Sequence, residues 1–319
     1  QYAPDQGAAI IVMDVNTGAI LGMTSKPDFD LNAPYEITSE KLQAKIDAAA
    51  TEEEKKEATK EAWELQWRNK TITDTYEPGS VFKTVTASAA LEEGTANLNS
   101  TYTCTGSVTF PGLPKPIHCH KHGGHGTLDF TGALVNSCNP AFIAIGQSLG
   151  AEKFFKYYEG FGLTEKTGID LPAENKGSYY DASMSPISLA SCSFGQSNTV
   201  TPLQMMTAAV ASINGGKLLQ PHIVSKIVDN NGNTVEEIGT EVRRQVISEE
   251  TSAIMRSALE QVVSANGGTN AYVKGYRIGG KSGTAQKLTD TTNSKYVFSY
   301  FVFAPADDPQ VAALVMVDE

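Results

Sequence analysis

The stretch Glu77-Pro78-Gly79-Ser80-Val81-Phe82-Lys83-Thr84 predicts the start of a buried helix around which the rest of the chain is organised. Its Pro-Gly pair interrupts the chain just before an apolar, alanine-rich run that ends at Gly94. Ser80 is therefore expected in the first turn of that helix. Three residues span almost one helical turn, which places Lys83 on the same face as Ser80.

This spacing suggests an activated serine. A serine hydroxyl is a poor nucleophile until a base removes its proton, and a lysine one turn away can do so if burial or another cation keeps it neutral. The backbone N–H groups of a helix N-terminus also favour developing negative charge. Ser80 is the candidate nucleophile and Lys83 its candidate base. The alternative is an exposed serine beside a capping lysine, because Ser-x-x-Lys is expected about once by chance in a chain of this size.

The composition limits which domain organisation and which kinds of partner are expected. With 319 residues and 40% hydrophobic residues, the chain is expected to form one large domain with two subdomains. A net charge of −11 and a pI near 5.0 argue against nucleic acid or an anionic membrane surface as the main partner. No apolar run approaches the length of a membrane span, and none resembles a signal peptide.

The order of the predicted elements indicates the fold class. Two apolar runs, 8–13 and 20–23, are joined by Asn16-Thr17-Gly18 and predict a β-hairpin. Three strand-like runs near the other end cover residues 281–286, 296–304 and 311–317. Helical patterns lie between. We expect an α+β fold, with an antiparallel β-sheet formed from both chain termini, covered by helices, and an inserted helical subdomain.

The boundaries follow from this order. We expect a single domain over 1–319, with a sheet subdomain at about 1–75 and 220–319 and a helical subdomain at about 76–219. Within the first part, residues 36–68 are charged and alanine-rich, which favours helix with little apolar face. This segment is predicted to be a solvated insertion or lid. Trp63 and Trp67, spaced as helix neighbours, are expected to dock it onto the body.

Cysteine and histidine are concentrated between Thr101 and Phe142, which hold four of the five histidines and three of the four cysteines. These residues are Cys104, His118, Cys119, His120, His122, His125 and Cys138. A structural zinc takes four thiolate or imidazole ligands, and a metal can hold together a loop-rich segment that lacks a core. The alternative is a histidine-rich surface loop with one disulfide between Cys104 and Cys119. Cys192, outside the window, is expected to be an ordinary buried cysteine.

Two further motifs bear on Ser80. Ser137-x-Asn139 precedes Pro140 at a predicted helix start, whereas the same triplet at Ser212 and Ser264 lies beside glycines at helix ends, where a capping role is expected. A cleft is expected at the junction of the two subdomains. In an extended triplet, Ser137 and Asn139 would face this cleft and Cys138 would face away from it.

The other motif is Lys281-Ser282-Gly283-Thr284, which follows Gly279-Gly280 and begins a predicted core strand. Its small residues would let a substrate lie along the strand edge as an added strand. A similar Lys-Thr-Gly at Lys166 lies in a loop and is interpreted as structural.

The three motifs, in this order and with this spread, resemble those of the penicillin-recognising serine acyltransferases. The residues that flank these motifs narrow the resemblance to the transpeptidase domain of a class B penicillin-binding protein of the division or sporulation type. The resemblance covers nearly the whole chain except 36–68. The flanking segments are Glu77-Pro78-Gly79-Ser80, Asn136-Ser137-Cys138-Asn139-Pro140-Ala141-Phe142, Thr167-Gly168-Ile169-Asp170-Leu171-Pro172, Phe194-Gly195-Gln196, Thr201-Pro202-Leu203-Gln204 and Gly280-Lys281-Ser282-Gly283-Thr284-Ala285-Gln286.

The resemblance implies a reaction. Ser80 would attack the penultimate D-alanine carbonyl of a peptidoglycan stem peptide that ends in D-Ala-D-Ala, after Lys83 takes its proton. Ser137 would relay a proton to the leaving amine, and Asn139 would hold Lys83 and the substrate amide. An amine from a neighbouring stem would then complete the cross-link. No metal or cofactor takes part in this chemistry.

The resemblance also implies how the substrate is held. Lys281 and the Thr284 hydroxyl, with Ser282 and Gly283 between them, would bind the terminal carboxylate or that of a β-lactam antibiotic. Backbone N–H groups of Ser80 and Thr284 would form the oxyanion hole.

Some elongation-type class B enzymes carry a structural zinc, and the resemblance transfers its ligands onto this chain. They would be Cys104, Cys119, His125 and Cys138. His118, His120 and His122 have no counterpart and are left out of the ligand set.

The resemblance implies a setting as well. The full-length protein would have an N-terminal membrane anchor, lie on the extracytoplasmic face of the bacterial cell membrane and work with a membrane glycosyltransferase of the cell-wall machinery. One competing function, a D,D-carboxypeptidase, would use the same nucleophile and pass the acyl group to water. Alternatives from a different class are a β-lactam sensor and an inactive scaffold that only binds partners. A class A β-lactamase is disfavoured because no Glu-x-x-Leu-Asn segment is present.

Overall fold

A computed structural model describes residues 7–265, 269–287 and 295–319 of the chain. The strands lie partly in one large sheet and partly in short two-stranded pairs. In chain order they are β1 (Gly7–Asp14), β2 (Ile20–Lys26), β3 (Thr101–Cys104), β4 (Ser107–Val108), β5 (Ile117–His118), β6 (Gly126–Asp129), β7 (Lys217–Leu219), β8 (Lys226–Val228), β9 (Thr234–Glu237), β10 (Val242–Gln245), β11 (Gly279–Gln286), β12 (Tyr296–Ala304) and β13 (Val311–Asp318).

The large sheet has five antiparallel strands in the order β11-β12-β13-β1-β2. Its strands come from both ends of the chain, because β1 pairs along its whole length with β13. Side chains of β1 alternate between buried and more exposed positions, with Ala9, Ile11 and Met13 facing the core. The expected α+β class, with a sheet from both termini, is confirmed by this topology.

The helices cover the sheet and fill the middle of the chain. They are α1 (Glu40–Asp47), α2 (Glu52–Gln66), α3 (Lys70–Thr73), α4 (Lys83–Glu92), α5 (Phe130–Val135), α6 (Asn139–Leu149), α7 (Ala151–Gly160), α8 (Pro186–Cys192), α9 (Pro202–Ala211) and α10 (Glu249–Ser264). Helix α4 packs against α6, α7, α9 and α10, and α10 also packs against β11. Every residue of α9 is buried, as expected for a helix that is apolar on all sides.

The nucleophile turn differs from its prediction in one respect. Ser80 lies in a 3₁₀ turn, Gly79–Phe82, and the α-helix begins only at Lys83. Residues 83–90 of α4 are all buried, so the expectation of a buried helix is met by the part that follows the serine. A 3₁₀ turn at a helix start is common, and it leaves Ser80 half-buried while Lys83 is enclosed.

The charged segment 36–68 contains α1 and α2. Helix α2 begins with a capping box in which the side chains of Thr51 and Glu54 bond to each other's backbone N–H groups. Trp63 and Trp67 donate their indole N–H groups to the carbonyls of Tyr35 and Pro34, each at 2.8 Å, and their rings contact the Tyr35 ring. The expectation that they dock the segment onto the body was therefore wrong, because they fasten α2 to its own flanking loop.

Among the described helices, none combines the length and the apolar composition needed to cross a lipid bilayer.

Candidate active site

The nucleophile turn lies directly against strand β11. Gly79 has a φ of 55°, and a Cβ at that position would lie 2.8 Å from the Thr284 carbonyl oxygen. A Cβ on Gly283 would lie 2.8 Å from the Pro78 carbonyl oxygen. The two glycines thus permit backbone to approach backbone, which brings Ser80 beside Lys281–Thr284.

Two buried lysines meet at one hydroxyl. Lys83, at 0% exposure, donates to the Ser137 carbonyl at 2.8 Å, to Asn139 Oδ1 at 2.7 Å and to Ser137 Oγ at 3.2 Å. Lys281, at 1% exposure, donates to Ser137 Oγ at 3.0 Å and to its neighbour's carbonyl, that of Ser282, at 3.0 Å. The Ser137 hydroxyl therefore bridges the lysines of the first and third motifs.

Burial changes the charge state of both lysines. It lowers the pKa of Lys83 well below its usual value, and the positive charge of Lys281 lowers this pKa further. Burial also lowers the pKa of Lys281 to about 7. A lysine with a depressed pKa can act as a proton acceptor near neutral pH, which is the state required of the base in the sequence prediction.

The hydrogen bonds of the Lys83 amine go to the second motif. Within the described residues, no hydrogen bond joins the Ser80 hydroxyl to the Lys83 amine, which is directed at Ser137 and Asn139 instead. Catalytic hydrogen bonds of this kind often tighten only when substrate binds.

The backbone of the second motif is not extended, so that part of the prediction was wrong. Ser137 has a φ of 47°, and its N–H donates to the Leu134 carbonyl at 3.0 Å. Asn139 already belongs to α6. Ser137 and Asn139 nevertheless both reach Lys83, while the Cys138 sulfur lies in a cysteine–histidine cluster on the other side. A non-glycine residue in the left-handed region is strained, and such strain concentrates at functional sites.

The four residues predicted as zinc ligands lie together. One ligand atom from each of Cys104, Cys119, His125 and Cys138 is within 4.8 Å of the others. All three cysteines are buried and free, so the alternative disulfide between Cys104 and Cys119 is not formed. Three sulfurs and one imidazole, closely spaced and mostly shielded from water, fit the tetrahedral donor set of a structural zinc site.

The cluster is connected to the second motif by the chain and by a hydrogen bond. Cys138 separates Ser137 from Asn139, and Asn139 Nδ2 donates to the His118 carbonyl at 3.3 Å. His118 precedes Cys119, so the segment that carries the cluster also orients the amide of Asn139.

A cleft of about 380 Å³ opens onto these groups. One side, here called the sheet wall, is formed by Lys281–Thr284 of β11. The other, here called the loop wall, is formed by Ser137, Asn139 and His120. The residues that line the cleft are Ser80, His120, Ser137, Asn139, Phe194, Gln196, Ser282 and Thr284.

Most of the predicted site residues are accounted for by this geometry. Ser80, Ser137, Asn139, Ser282 and Thr284 line the cleft. The two lysines are buried behind it, and Gly283 packs beneath the nucleophile turn.

Three lining residues were missed: His120, Phe194 and Gln196. Phe194-Gly195-Gln196 stood out in the sequence as part of the resemblance but without a role. His120 has no counterpart in the ligand set that the resemblance implies.

A half-buried carboxylate ties the Phe194–Gln196 segment to the nucleophile turn. Glu77 Oε1 accepts the backbone N–H of Ser197 at 2.8 Å, and Gly79 N–H donates to the Gly195 carbonyl at 2.9 Å. Burial raises the pKa of Glu77, and the Ser197 hydrogen bond opposes that shift. These contacts fix Gln196 relative to Ser80.

A larger groove of about 890 Å³ lies between the insertion and the end of the sheet, where its lining includes Lys26, Lys45, Leu65 and Arg68. None of the predicted site residues lines it, and it brings no serine beside a buried base. The chemistry therefore belongs to the smaller cleft.

Comparison with protein families and curated proteins gives consistent matches. A family model described as the penicillin binding protein transpeptidase domain matches residues 8–319. Stage V sporulation protein D of Bacillus subtilis is 40% identical over 323 residues, which cover 100% of this chain and 46% of that protein. The probable peptidoglycan D,D-transpeptidase PenA of Neisseria gonorrhoeae is 26% identical over 323 residues, covering 100% of this chain and 48% of that protein. The chain thus spans about half the length of these curated relatives.

A solved structure has the same architecture. The apo structure of the TP domain from Burkholderia pseudomallei penicillin-binding protein 3 superposes with a TM-score of 0.75 at 27% identity, covering 98% of this chain and 80% of that one.

Proposed function

The chain belongs to the penicillin-binding protein transpeptidase family, which confirms the resemblance of its motifs, and on that premise we propose that it is a peptidoglycan D,D-transpeptidase acting through an acyl-enzyme on Ser80. One observation supports this most strongly: Ser80 shares its cleft with the Ser137 hydroxyl that both buried lysines contact. Such an arrangement supplies a nucleophile, a base and a proton path in one place.

In the acylation step, Ser80 Oγ attacks the penultimate D-alanine carbonyl of a stem peptide ending in D-Ala-D-Ala. Lys83, whose pKa burial depresses, accepts the serine proton. Ser137 lies between the lysines and passes a proton to the leaving amine, so the terminal D-alanine departs neutral at nitrogen. The product is an ester between Ser80 and the donor stem.

The sheet wall positions the substrate. Lys281 in its protonated form, with the Thr284 hydroxyl, binds the terminal carboxylate, and a β-lactam carboxylate would occupy the same place. On the loop wall, Asn139 Oδ1 accepts a hydrogen bond from Lys83 Nζ at 2.7 Å. The side-chain amide of Asn139 also contributes to binding the peptide. Backbone N–H groups of Ser80 and Thr284 stabilise the oxyanion.

The cysteine–histidine cluster is proposed to hold a structural zinc ion through Cys104, Cys119, His125 and Cys138. When bound, zinc would supply cohesion to a loop-rich segment and no chemical step, since the reaction requires no metal. Zinc bound to Cys138 would also help to fix the positions of Ser137 and Asn139, because Cys138 lies between them in the chain.

Metal analysis of the purified chain tests the zinc site. About one zinc per chain is expected, and it should be lost when Cys119→Ser and His125→Ala are combined. Absence of zinc from the unaltered chain, or full zinc retention in the double variant, contradicts the proposal.

The setting of the whole protein is also a proposal. Because the chain covers about half of its curated relatives, we infer from the family resemblance a membrane anchor elsewhere in the full-length protein, action on the extracytoplasmic face of the bacterial cell membrane, and a glycosyltransferase partner in the cell-wall machinery.

Mass spectrometry after mixing with a labelled penicillin tests the proposed function. A stable adduct on Ser80, absent from the Ser80→Ala variant, is expected. No adduct would indicate an inactive scaffold, and rapid turnover would indicate a β-lactamase.

A stable adduct is shared with a β-lactam sensor and with a D,D-carboxypeptidase. Transfer of a D-alanyl thioester donor to an added amine separates these functions, because a sensor turns over no donor and a carboxypeptidase releases the acyl group only to water.

A further inference from the structure

We propose that the imidazole of His120 binds the acceptor amine, the second substrate of the cross-linking reaction. The inference rests on the proposed transpeptidase function and assigns that function a residue for its second half-reaction. It comes from the position of His120 in the cleft.

His120 belongs to the same wall as the second motif. It lines the cleft together with Ser137 and Asn139. It directly follows Cys119. The sulfur of Cys119 lies in the same cluster as the sulfur of Cys138, which is the residue between Ser137 and Asn139. His120 is exposed and lines the cleft, whereas its neighbour Cys119 is buried.

The orientation of the ring leaves one nitrogen available. Nδ1 of His120 lies 3.9 Å from the Cys119 sulfur, and the ring packs at 5.1 Å from the ring of His125. Nε2 is on the opposite side of the imidazole from Cβ and is not held by a hydrogen bond within the described residues. In the neutral tautomer that carries its proton on Nδ1, Nε2 can accept one hydrogen bond from an amine.

The other polar groups of the loop wall are already engaged. The Ser137 hydroxyl contacts both lysines, and Asn139 bonds to Lys83 and to the His118 carbonyl. A second substrate that approaches this wall therefore meets His120 as the group with a free acceptor.

The direction of acceptor approach follows from the chemistry. Aminolysis of the ester is the reverse of acylation by an amide, so the incoming amine occupies the place from which the D-alanine amine departed. That place is beside Ser137, because Ser137 passes the proton in both directions. It is therefore on the loop wall and not on the sheet wall.

The step balances without a further reactant. The amine nitrogen forms a bond to the acyl carbon, the bond from that carbon to Ser80 Oγ breaks, and the amine proton passes through Ser137 and Lys83 to the serine oxygen. His120 accepts the second N–H of the amine and directs its lone pair at the carbonyl. Binding of this kind favours the amine over water as the acceptor.

The test separates the two half-reactions in the 319-residue chain. A D-alanyl thioester serves as donor and D-alanine as the acceptor amine, and the ratio of amide to hydrolysed product is followed as D-alanine is increased. His120→Ala is expected to raise the D-alanine concentration needed for half-maximal transfer by about three- to tenfold, the effect of losing one hydrogen bond. Acylation of Ser80 by penicillin is measured in parallel, so that a general loss of activity is recognised as a fall in both half-reactions.

Matched variants distinguish binding from a structural role. His120→Phe keeps a ring without nitrogen and should behave as His120→Ala, whereas His120→Gln keeps an acceptor and should restore part of the transfer. His122→Ala removes an exposed histidine of the same loop that does not line the cleft, and it should change neither reaction. Metal content should be equal in all of these variants.

Two outcomes overturn the inference in different ways. An unchanged transfer ratio in both His120→Ala and His120→Phe refutes the acceptor role alone. Failure of the unaltered chain to form a Ser80 adduct refutes the proposed function and the acceptor role with it.

Discussion

The two walls of the cleft are built by different means. The sheet wall is a stretch of β11 that pairs with β12 along its whole length and is covered by α10. The loop wall lies at the end of a segment whose only strands are two short pairs, β3 with β6 and β4 with β5. Repeated backbone hydrogen bonds hold one wall, and in the proposed zinc site four converging side chains would hold the other.

The difference shows where the site is vulnerable. Removing one side chain from a sheet leaves its ladder in place, whereas removing one of the four proposed zinc ligands would remove a large share of what fixes the loop. Ser137 is also strained at a φ of 47°, so the loop wall must be held in a conformation it would not adopt alone. Four experiments bear on this contrast.

The largest effect is expected from Lys83→Ala, because Lys83 makes three hydrogen bonds to the loop wall and is the proposed base. Acylation of Ser80 by penicillin should fall by about a thousandfold, the range for loss of a general base. The rate of adduct formation measures this, with circular dichroism as a check on folding. A folded variant that acylates within tenfold of the unaltered chain would show that another group activates Ser80.

A smaller effect, confined to one wall, is expected from Cys119→Ser combined with His125→Ala. Acylation should fall by roughly 10- to 100-fold because Ser137 and Asn139 lose their support. Hydrogen exchange should increase in residues 104–139 and stay unchanged in β11–β13. The control is Cys192→Ala, which alters a buried cysteine outside the cluster. Equal increases in both walls would show that the two walls are not stabilised independently.

The converse test disturbs the sheet wall through Gly283→Ala. The new Cβ would lie 2.6 Å from Ser299 Oγ and 2.8 Å from the Pro78 carbonyl, so the nucleophile turn must shift. We expect the free energy of unfolding to fall by about 1–3 kcal/mol, with about a tenfold loss of acylation at the usual scale of 1.4 kcal/mol per tenfold. Urea unfolding and adduct formation measure the two effects.

Gly239→Ala is the matched control for Gly283→Ala, because no atom lies within 4 Å of its added Cβ. If both glycine variants behave alike, close approach at Gly283 is not what positions the turn.

The smallest effect concerns pH. Lys281 has a pKa lowered to about 7 by burial, so its cation is present below that pH and is lost above it. Binding of a penicillin carboxylate before acylation should weaken severalfold between about pH 7 and pH 8, with a limit of tenfold per unit. The dissociation constant of the non-covalent complex measures this.

Lys281→Arg should remove that high-pH loss, because a guanidinium stays charged throughout the range. A high-pH loss that persists in Lys281→Arg would assign the titration to another group.

The sequence predicted which polar groups meet at the cleft better than it predicted the backbone conformation around them. Ser80, Lys83 and Lys281 belong to short motifs whose spacing encodes local geometry, and Pro140 marked the start of α6 after Asn139. The left-handed conformation of Ser137 was not predictable from its residue type, since serine rarely adopts it. It depends on tertiary contacts that only the folded chain supplies.

The missed residues share one cause. His120 and Gln196 reach the cleft from segments that lie far from Ser80 in sequence, and their positions depend on Cys119 and on the Glu77–Ser197 hydrogen bond. For Trp63 and Trp67 the sequence predicted a contact that is absent from the described residues. Large aromatic residues on a polar helix suggested that the helix docks on the body of the domain. In the structure their indole N–H groups instead donate to the carbonyls of Tyr35 and Pro34 in a nearby loop, and Trp67 stays 41% exposed.

The pairing of β1 with β13 has a consequence for the order in which the molecule assembles. Gly7 lies opposite Asp318, so the centre of the sheet joins residues about as far apart in sequence as this chain allows. Contacts of such long range close late in folding, whereas α4, α6 and α9 can form from nearer neighbours. During synthesis the nucleophile helix therefore emerges long before the strand that carries Lys281. A ribosome-bound chain that has not yet produced β11 contains Ser80 and Lys83 but no site for a carboxylate, and it should not react with penicillin.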